Sequence, residues 1–230
     1  MAFTYAIADL HGRFDLLKLA YVEIQYHAKE PGTVVHLGDY VDRGPESRQV
    51  IEGLKKPFWK GWKRIVLKGN HEDIMWQTCR QLPHAGWWME NGGAATLISY
   101  GQKEGEWADV KVVPDHHLDW IAGLPLMHID KHRVYVHAGV DPDIPLDAQD
   151  PQTLMWKIYK GADQRGHGDR HVVHGHHQFK DGPMVVRSRT NLDTRAWYTG
   201  RLAVGIFDDD RPGGAVMFLE VRGEPAGRGG

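Results

Sequence analysis

Five short stretches carry residues suited to divalent-metal and phosphoryl chemistry, and each follows an apolar run. Asp9 and His11 stand in "YAIADLHG", and Asp39, Asp42 and Arg43 in "VVHLGDYVDRG". Asn70 and His71 stand in "RIVLKGNHE", His137 in "VYVHAG" and His176 in "HVVHGHH". On an extended segment Asp9 and His11 share one face, because strand side chains repeat every two residues. Such a pair suits one metal ion. Asp39 has two oxygens with which to bridge to a second ion, whose neutral ligands would be Asn70, His137 and His176. Mixed Asp, His and Asn donors fit manganese, iron or zinc better than calcium or magnesium. Two such ions about 3.5–4 Å apart activate a water and clamp a phosphoryl group for in-line attack.

Each stretch alone also has a plain structural reading. Asp9 and Asn70 read as turn residues, and His137 as a hydrogen-bonded histidine at the end of a buried strand. Asp42 and Arg43 read as a surface ion pair of little energetic weight. What favours a shared site is their joint occurrence, each behind a strand-like run. His174 adds nothing to a complete donor set and reads as structural, as does Cys79.

The elements that must position these residues follow from periodicity. Apolar β-forming runs at 3–8, 34–37 and 64–67 predict strands. Helical spacing at Leu16, Leu17, Ala20 and Ile24, and at Val50, Ile51 and Leu54, predicts helices over 14–28 and 47–55. Strand–helix alternation predicts a largely parallel sheet, whose carboxyl ends form the ligand crevice. Residues 73–123 read as mostly helical. Further strands are expected at 126–129, 134–137, 171–174, 184–186, 202–207 and 215–221. The fold class is therefore mixed α/β: two packed sheets with helices outside, the second part expected to be antiparallel. One domain over 1–222 and a flexible tail over 223–230 are expected from composition.

Composition narrows the function classes. The 230 residues are 41% hydrophobic and 25% charged, with a formal net charge of -2, which gives nucleic acid no electrostatic hold. No apolar stretch reaches the ~18 residues that span a bilayer. No signal-peptide pattern opens the chain, and its single cysteine suits a reducing compartment, so a cytoplasmic protein is expected. The basic, aromatic stretch at 55–64 reads as a helix-to-strand connection with its tryptophans tucked inward, in preference to a membrane or nucleic-acid contact.

Together, "DLHG", "GDYVDRG", "GNHE", "VHAG" and "GHH" resemble the signature of the phosphoprotein phosphatase family of calcineurin-like metallophosphoesterases. The resemblance is to the bacterial and bacteriophage branch, and it runs from about residue 4 to 207. It includes "NGG-x-x-T-L-x-S-Y-G" and "N-L-D-T-x-A". It implies the four-layer metallophosphoesterase fold. It also implies Asp9 and His11 as first-metal ligands, Asp39 as the bridge, and Asn70, His137 and His176 at the second metal. Asp42 would orient His71, the general acid, and Arg43 would grip the phosphate, with Asn70 and His71 also facing the substrate. The implied reaction is one-step hydrolysis by a metal-bridging hydroxide, with two divalent ions, manganese foremost.

Two departures stand out. Where the branch has arginine in "W-x-R", this chain has Ile158, leaving Lys157, Lys160, Arg187 or Arg195 as replacement cations. Arg195 itself replaces a glycine. Gln178 follows His177, so the Gly-His-x-His of nuclease-like relatives is absent. The leading reading is a phosphatase acting on phosphoserine or phosphothreonine, and on phosphotyrosine as an extension. Dinucleoside polyphosphate hydrolysis is the alternative within the same chemistry. A catalytically silent module binding phosphorylated partners is the alternative outside it. Segments 76–120 and 140–170 are expected to face the substrate.

Overall fold

A computed structural model describes residues 2–81, 85–160 and 163–225 of the chain. The expected tail falls largely on 226–230, outside the described residues; so do 82–84 and 161–162, within the expected substrate-facing segments.

The first half follows the predicted alternation: β1 (Phe3–Ile7), α1 (Phe14–His27), β2 (Thr33–His36), α2 (Ser47–Lys55), β3 (Lys63–Val66) and α3 (Asn70–Gln81). Short helices follow as α4 (Ala85–Trp88), α5 (Ala94–Ser99) and α6 (Asp115–Ala122). Then come β4 (Met127–Ile129), β5 (Arg133–Val136), α7 (Pro151–Trp156), β6 (His171–His174), β7 (Met184–Val186) and β8 (Arg189–Asn191). The described chain closes with α8 (Ala196–Thr199), β9 (Arg201–Asp208) and β10 (Met217–Arg222).

These strands form two five-stranded sheets, in the orders β10-β9-β1-β2-β3 and β4-β5-β6-β8-β7. The period of two assigns their faces. Tyr5 and Ile7 pack with α1 and α2, whereas Ala6 and Ala8 join Val35, Leu37, Tyr135, Val173 and Phe207 between the sheets. Val134, Val136 and Val172 turn outward, against Leu154 of α7. The result is four layers: helices, sheet, sheet, helix.

The expectation of an antiparallel second part needs correction. The centre of the second sheet is parallel, β5 with β6 and β6 with β8, and only its edge pairs are antiparallel. A tight turn links β4 to β5, but β5 reaches β6 by a crossover through α7, which a hairpin cannot replace. The late pair β9–β10 is antiparallel but extends the first sheet beside β1. Strand β8 was not expected. Its "RTN" is polar yet fully buried, so it shows no apolar period.

The 55–64 connection does tuck inward. Phe58, Trp59 and Trp62 pack on the main core, with Trp59 edge-on to Tyr21 at 5.1 Å and Arg64 over the Phe58 ring at 4.7 Å. Among the described residues no helix is long and apolar enough to cross a membrane.

His36, fully buried on β2, bonds Tyr21 Oη through Nε2 at 3.0 Å. Burial, helped by Arg64, pushes its pKa down from 6.5 to about 3. A histidine whose pKa falls on folding withdraws stability as pH drops below its unfolded value. The fall in unfolding free energy between pH 7 and 5.5, measured by urea titration, should therefore be about 1 kcal/mol smaller in His36→Gln than in the parent. Equal falls would show that His36 does not carry this pH dependence.

Candidate metal and phosphate site

The residues singled out from sequence lie beyond the carboxyl ends of the parallel strands. Asp9 and His11 follow β1, Asp39 to Arg43 follow β2, and Asn70 and His71 open α3 just after β3. His137 and His176 follow β5 and β6 of the second sheet. The two sheets thus present their strand ends to one place.

Two donor groups form there, and Asp39 belongs to both. On one side Asp39 Oδ2 lies 3.5 Å from His11 Nε2 and 3.9 Å from His71 Nε2. On the other, Asp39 Oδ1 lies 3.4 Å from His137 Nε2. Asn70 Oδ1 stands 2.8 Å from that nitrogen and 3.1 Å from His176 Nδ1. Asp9 is buried beside them, its two oxygens accepting the His176 N–H at 3.0 and 3.1 Å.

The protonation states fit divalent cations. His11 Nδ1 donates to Val41 O at 2.8 Å and His137 Nδ1 to Leu37 O at 2.9 Å, which turns both Nε2 lone pairs inward. Burial pushes the pKa of His11, His137 and His176 down, that of His176 to about 3, which favours the neutral form that a ligand needs. Burial works against the charge of Asp39, but His137, His71, His11 and His176 outweigh it and hold the carboxyl far below its usual range. Burial, with Asp193 and then Asp39, pushes Asp9 well up. The buried carboxyl groups of Asp9, Asp39 and Asp193 beside inward ring nitrogens are a donor set suited to a divalent cation.

Asp42 faces away from this group. Its Oδ2 accepts His71 Nδ1–H at 2.6 Å. It also accepts Trp88 Nε1–H at 3.0 Å to each oxygen, and the Thr96 hydroxyl at 2.7 Å. Burial lowers the His71 pKa, but Asp39 and Asp42 outweigh it and the net shift is upward. The Arg43 guanidinium lies against His11 Nε2 and, at 3.0 Å, His71 Nε2.

Sequence reasoning missed the supports. Glu72 takes backbone N–H bonds from Tyr40, Asp39, Gly69 and Val41 at 2.7, 2.8, 2.9 and 3.2 Å. The "GNHE" motif contained that residue, but no carboxylate role was read from it. Trp88, Thr96 and Asp193 were missed as well. A cavity of about 250 Å³ opens over the site, and its lining includes Ile74, Trp87, Asn91, Trp156, Ile158 and Gln178. The segments 76–120 and 140–170 therefore do contribute to its wall.

The replacement cations are not gathered there. Lys157 Nζ sits over the Tyr159 ring at 5.2 Å, and Arg187 lines a separate cavity with Arg165 and Arg170. Arg195 stacks on Tyr198 at 4.6 Å and on Trp197 at 5.2 Å, the ring that Arg43 also approaches at 5.6 Å. His174 bonds Gly175 O and Arg189, outside the donor groups, as expected.

Residues 4–212 match the family described as calcineurin-like phosphoesterase. The chain is 25% identical to serine/threonine-protein phosphatase 2 of Escherichia coli (strain K12), over 86% of this chain and 90% of that protein. It is 26% identical to the asymmetrical bis(5'-nucleosyl)-tetraphosphatase PrpE of Bacillus velezensis, over 85% of each. A solved protein serine/threonine phosphatase from Saccharomyces cerevisiae superposes with a TM-score of 0.62 at 16% identity, covering 99% of this chain and 82% of that one.

The two aspartates of "GDYVDRG" should fail differently. Asp39→Asn is expected to lose bound metal, whereas Asp42→Asn keeps its metal and loses turnover, by elemental analysis and steady-state kinetics. Equal metal loss in both would refute that division. Glu72→Gln turns an amide N–H2 toward N–H donors, and should lower the unfolding free energy by about 2–4 kcal/mol. Chemical denaturation measures it.

Proposed function

The chain belongs to the calcineurin-like phosphoesterase family, and from that premise we propose that it is a metal-dependent phosphatase of phosphorylated protein side chains. One observation carries the choice of substrate. Arg43 is the one lysine or arginine among the described residues lining the site cavity; beyond the site's own Asp39, Asn70, His71 and His176, the wall is Ile74, Trp87, Trp156 and Ile158 with the uncharged Asn91 and Gln178. A single guanidinium, beside a wall whose further members are apolar or uncharged, suits one phosphoryl group on an uncharged carrier, phosphoserine or phosphothreonine, with phosphotyrosine also admitted. A dinucleoside polyphosphate would bring several further negative charges to a wall without cations to meet them. The name of the PrpE relative keeps that second reading in the test.

Asp39, His11 and Asp9 on one side, and Asp39, Asn70, His137 and His176 on the other, would hold two divalent ions. Manganese is the first choice for these donors, with iron or zinc next. When bound, the ions supply Lewis acidity at the phosphoryl group and activation of the attacking water. Arg43 grips two phosphoryl oxygens with its fork. Asn70, whose Oδ1 is committed to the donor group, offers its amide N–H to a third. His71, whose Nδ1–H Asp42 accepts and whose pKa Asp39 and Asp42 raise against burial, would give its Nε2 proton to the leaving oxygen. Every metal and acid position is filled, which argues against a silent binding module.

The test is a substrate panel at fixed metal. Phosphoserine, phosphothreonine and phosphotyrosine peptides of one sequence are compared with diadenosine tetraphosphate. Peptide kcat/KM should exceed that for the tetraphosphate by more than tenfold. The reverse order would sink the proposal, and metal-replete protein inactive on all of them would revive the binding module. Arg43→Lys should raise KM for the peptides about tenfold, because a point charge replaces a fork.

A further inference from the structure

The segment from Trp88 to Thr96 lies outside every motif read for chemistry, yet it supplies two of the three side chains that bond the Asp42 carboxylate. Trp88 is fully buried, and its indole N–H divides evenly between the two Asp42 oxygens at 3.0 Å each. Thr96, also fully buried, accepts the Asp42 backbone N–H at 2.8 Å and donates its hydroxyl to Oδ1 at 2.7 Å. The remaining contact is His71 Nδ1 on Oδ2 at 2.6 Å. A carboxylate held this way cannot rotate without breaking a buried bond, and an unmet buried donor is costly.

The backbone between the two residues is shaped for this. The helical path from α4 to α5 passes through a widened turn over Met89–Gly93 and breaks at Gly92, where φ is +104°. A Cβ on Gly92 would fall 2.6 Å from Arg43 N, and one on Gly93 2.5 Å from Trp88 Cδ2. Gly92 O also accepts the Arg43 N–H at 3.1 Å. Wide turns of this kind recur at functional sites. Here the turn brings Trp88 and Thr96 to the same carboxylate.

We infer that Trp88 and Thr96 are positioning residues for acid catalysis. They fix Asp42 so that it aims the His71 ring, and so the Nε2 proton, at the leaving oxygen. The inference rests on the proposed role of His71 as general acid. It gives the "NGG-x-x-T" stretch a function: two glycines let the backbone approach Arg43 and Trp88, and the threonine closes the carboxylate's shell.

A misplaced acid matters most where the leaving group most needs its proton. A serine alkoxide needs it; nitrophenolate departs readily as the anion. Trp88→Phe keeps a large ring and removes the N–H, while Thr96→Val keeps the shape and removes the hydroxyl. With metal content matched to the parent, both variants should lose about tenfold in kcat on a phosphoserine peptide. Their loss on p-nitrophenyl phosphate should be at least fivefold smaller, with KM little moved on either. His71→Asn is the reference and should show the same selectivity in stronger form.

Equal losses on the two substrates in Trp88→Phe and Thr96→Val, beside a selective His71→Asn, would overturn the inference and reduce both residues to packing. If Trp88→Phe does not fold, Thr96→Val decides alone. An unselective His71→Asn would remove the acid role itself, and with it the premise.

Discussion

Glu72 accepts backbone N–H bonds from Asp39, Tyr40, Val41 and Gly69, so two loops from neighbouring strands close onto one buried carboxylate. The loop after β2 carries Asp39, Asp42 and Arg43; the one after β3 delivers Asn70 and His71. Those four bonds tie the two loops together, alongside the His71 N–H to Asp39 Oδ1 and His71 Nδ1–H to Asp42 Oδ2 bonds. Burial, and the charge of Asp39, push the Glu72 pKa up, but each oxygen already receives N–H donors and has no acceptor to offer a proton. The carboxylate form is the one this geometry satisfies.

The backbone there is held in conformations it would not choose. Among the described residues, the non-glycine positions with positive φ are Asp9, His11, Asp39, Asp42, Arg43, His176 and Arg195. Six of these are predicted to bind metal, orient the acid or clamp phosphate; the seventh, Arg195, adjoins the ring under Arg43. Left-handed backbone costs a side-chain-bearing residue about 1 kcal/mol or more, and persists where surrounding bonds over-determine it. Glu72 supplies some of those bonds, and the His11 N–H to Asp39 O contact at 2.8 Å another. The strain turns side chains that would alternate along a strand toward one point.

Much of this was legible in the sequence, and the unread parts have physical reasons. The βαβ half and its helices followed from apolar period, with α2 matched at both ends. Asp39, Asn70, His137 and His176 could be singled out because their residue types state their chemistry, and the fold does bring them within reach of one another. The parallel centre of the second sheet was hidden, since a short apolar run says nothing of its partner's direction. Strand β8 was hidden because Arg189 and Asn191 are buried polar residues without an apolar pattern. Trp88, Thr96 and Glu72 escaped for another reason. A tryptophan, a threonine and a motif glutamate acquire a role only when folding supplies the groups they bond.

The donor groups also divide the chain in time. Asp9, His11 and Asp39 all precede residue 40, behind strands β1 and β2, which are neighbours in both sequence and space. His137 and His176 come from the other sheet, about a hundred residues or more further along the chain. A growing polypeptide therefore possesses one complete set of donors long before the other. The shared carboxylate of Asp39 has one oxygen committed to an early neighbourhood while the second waits for a late one.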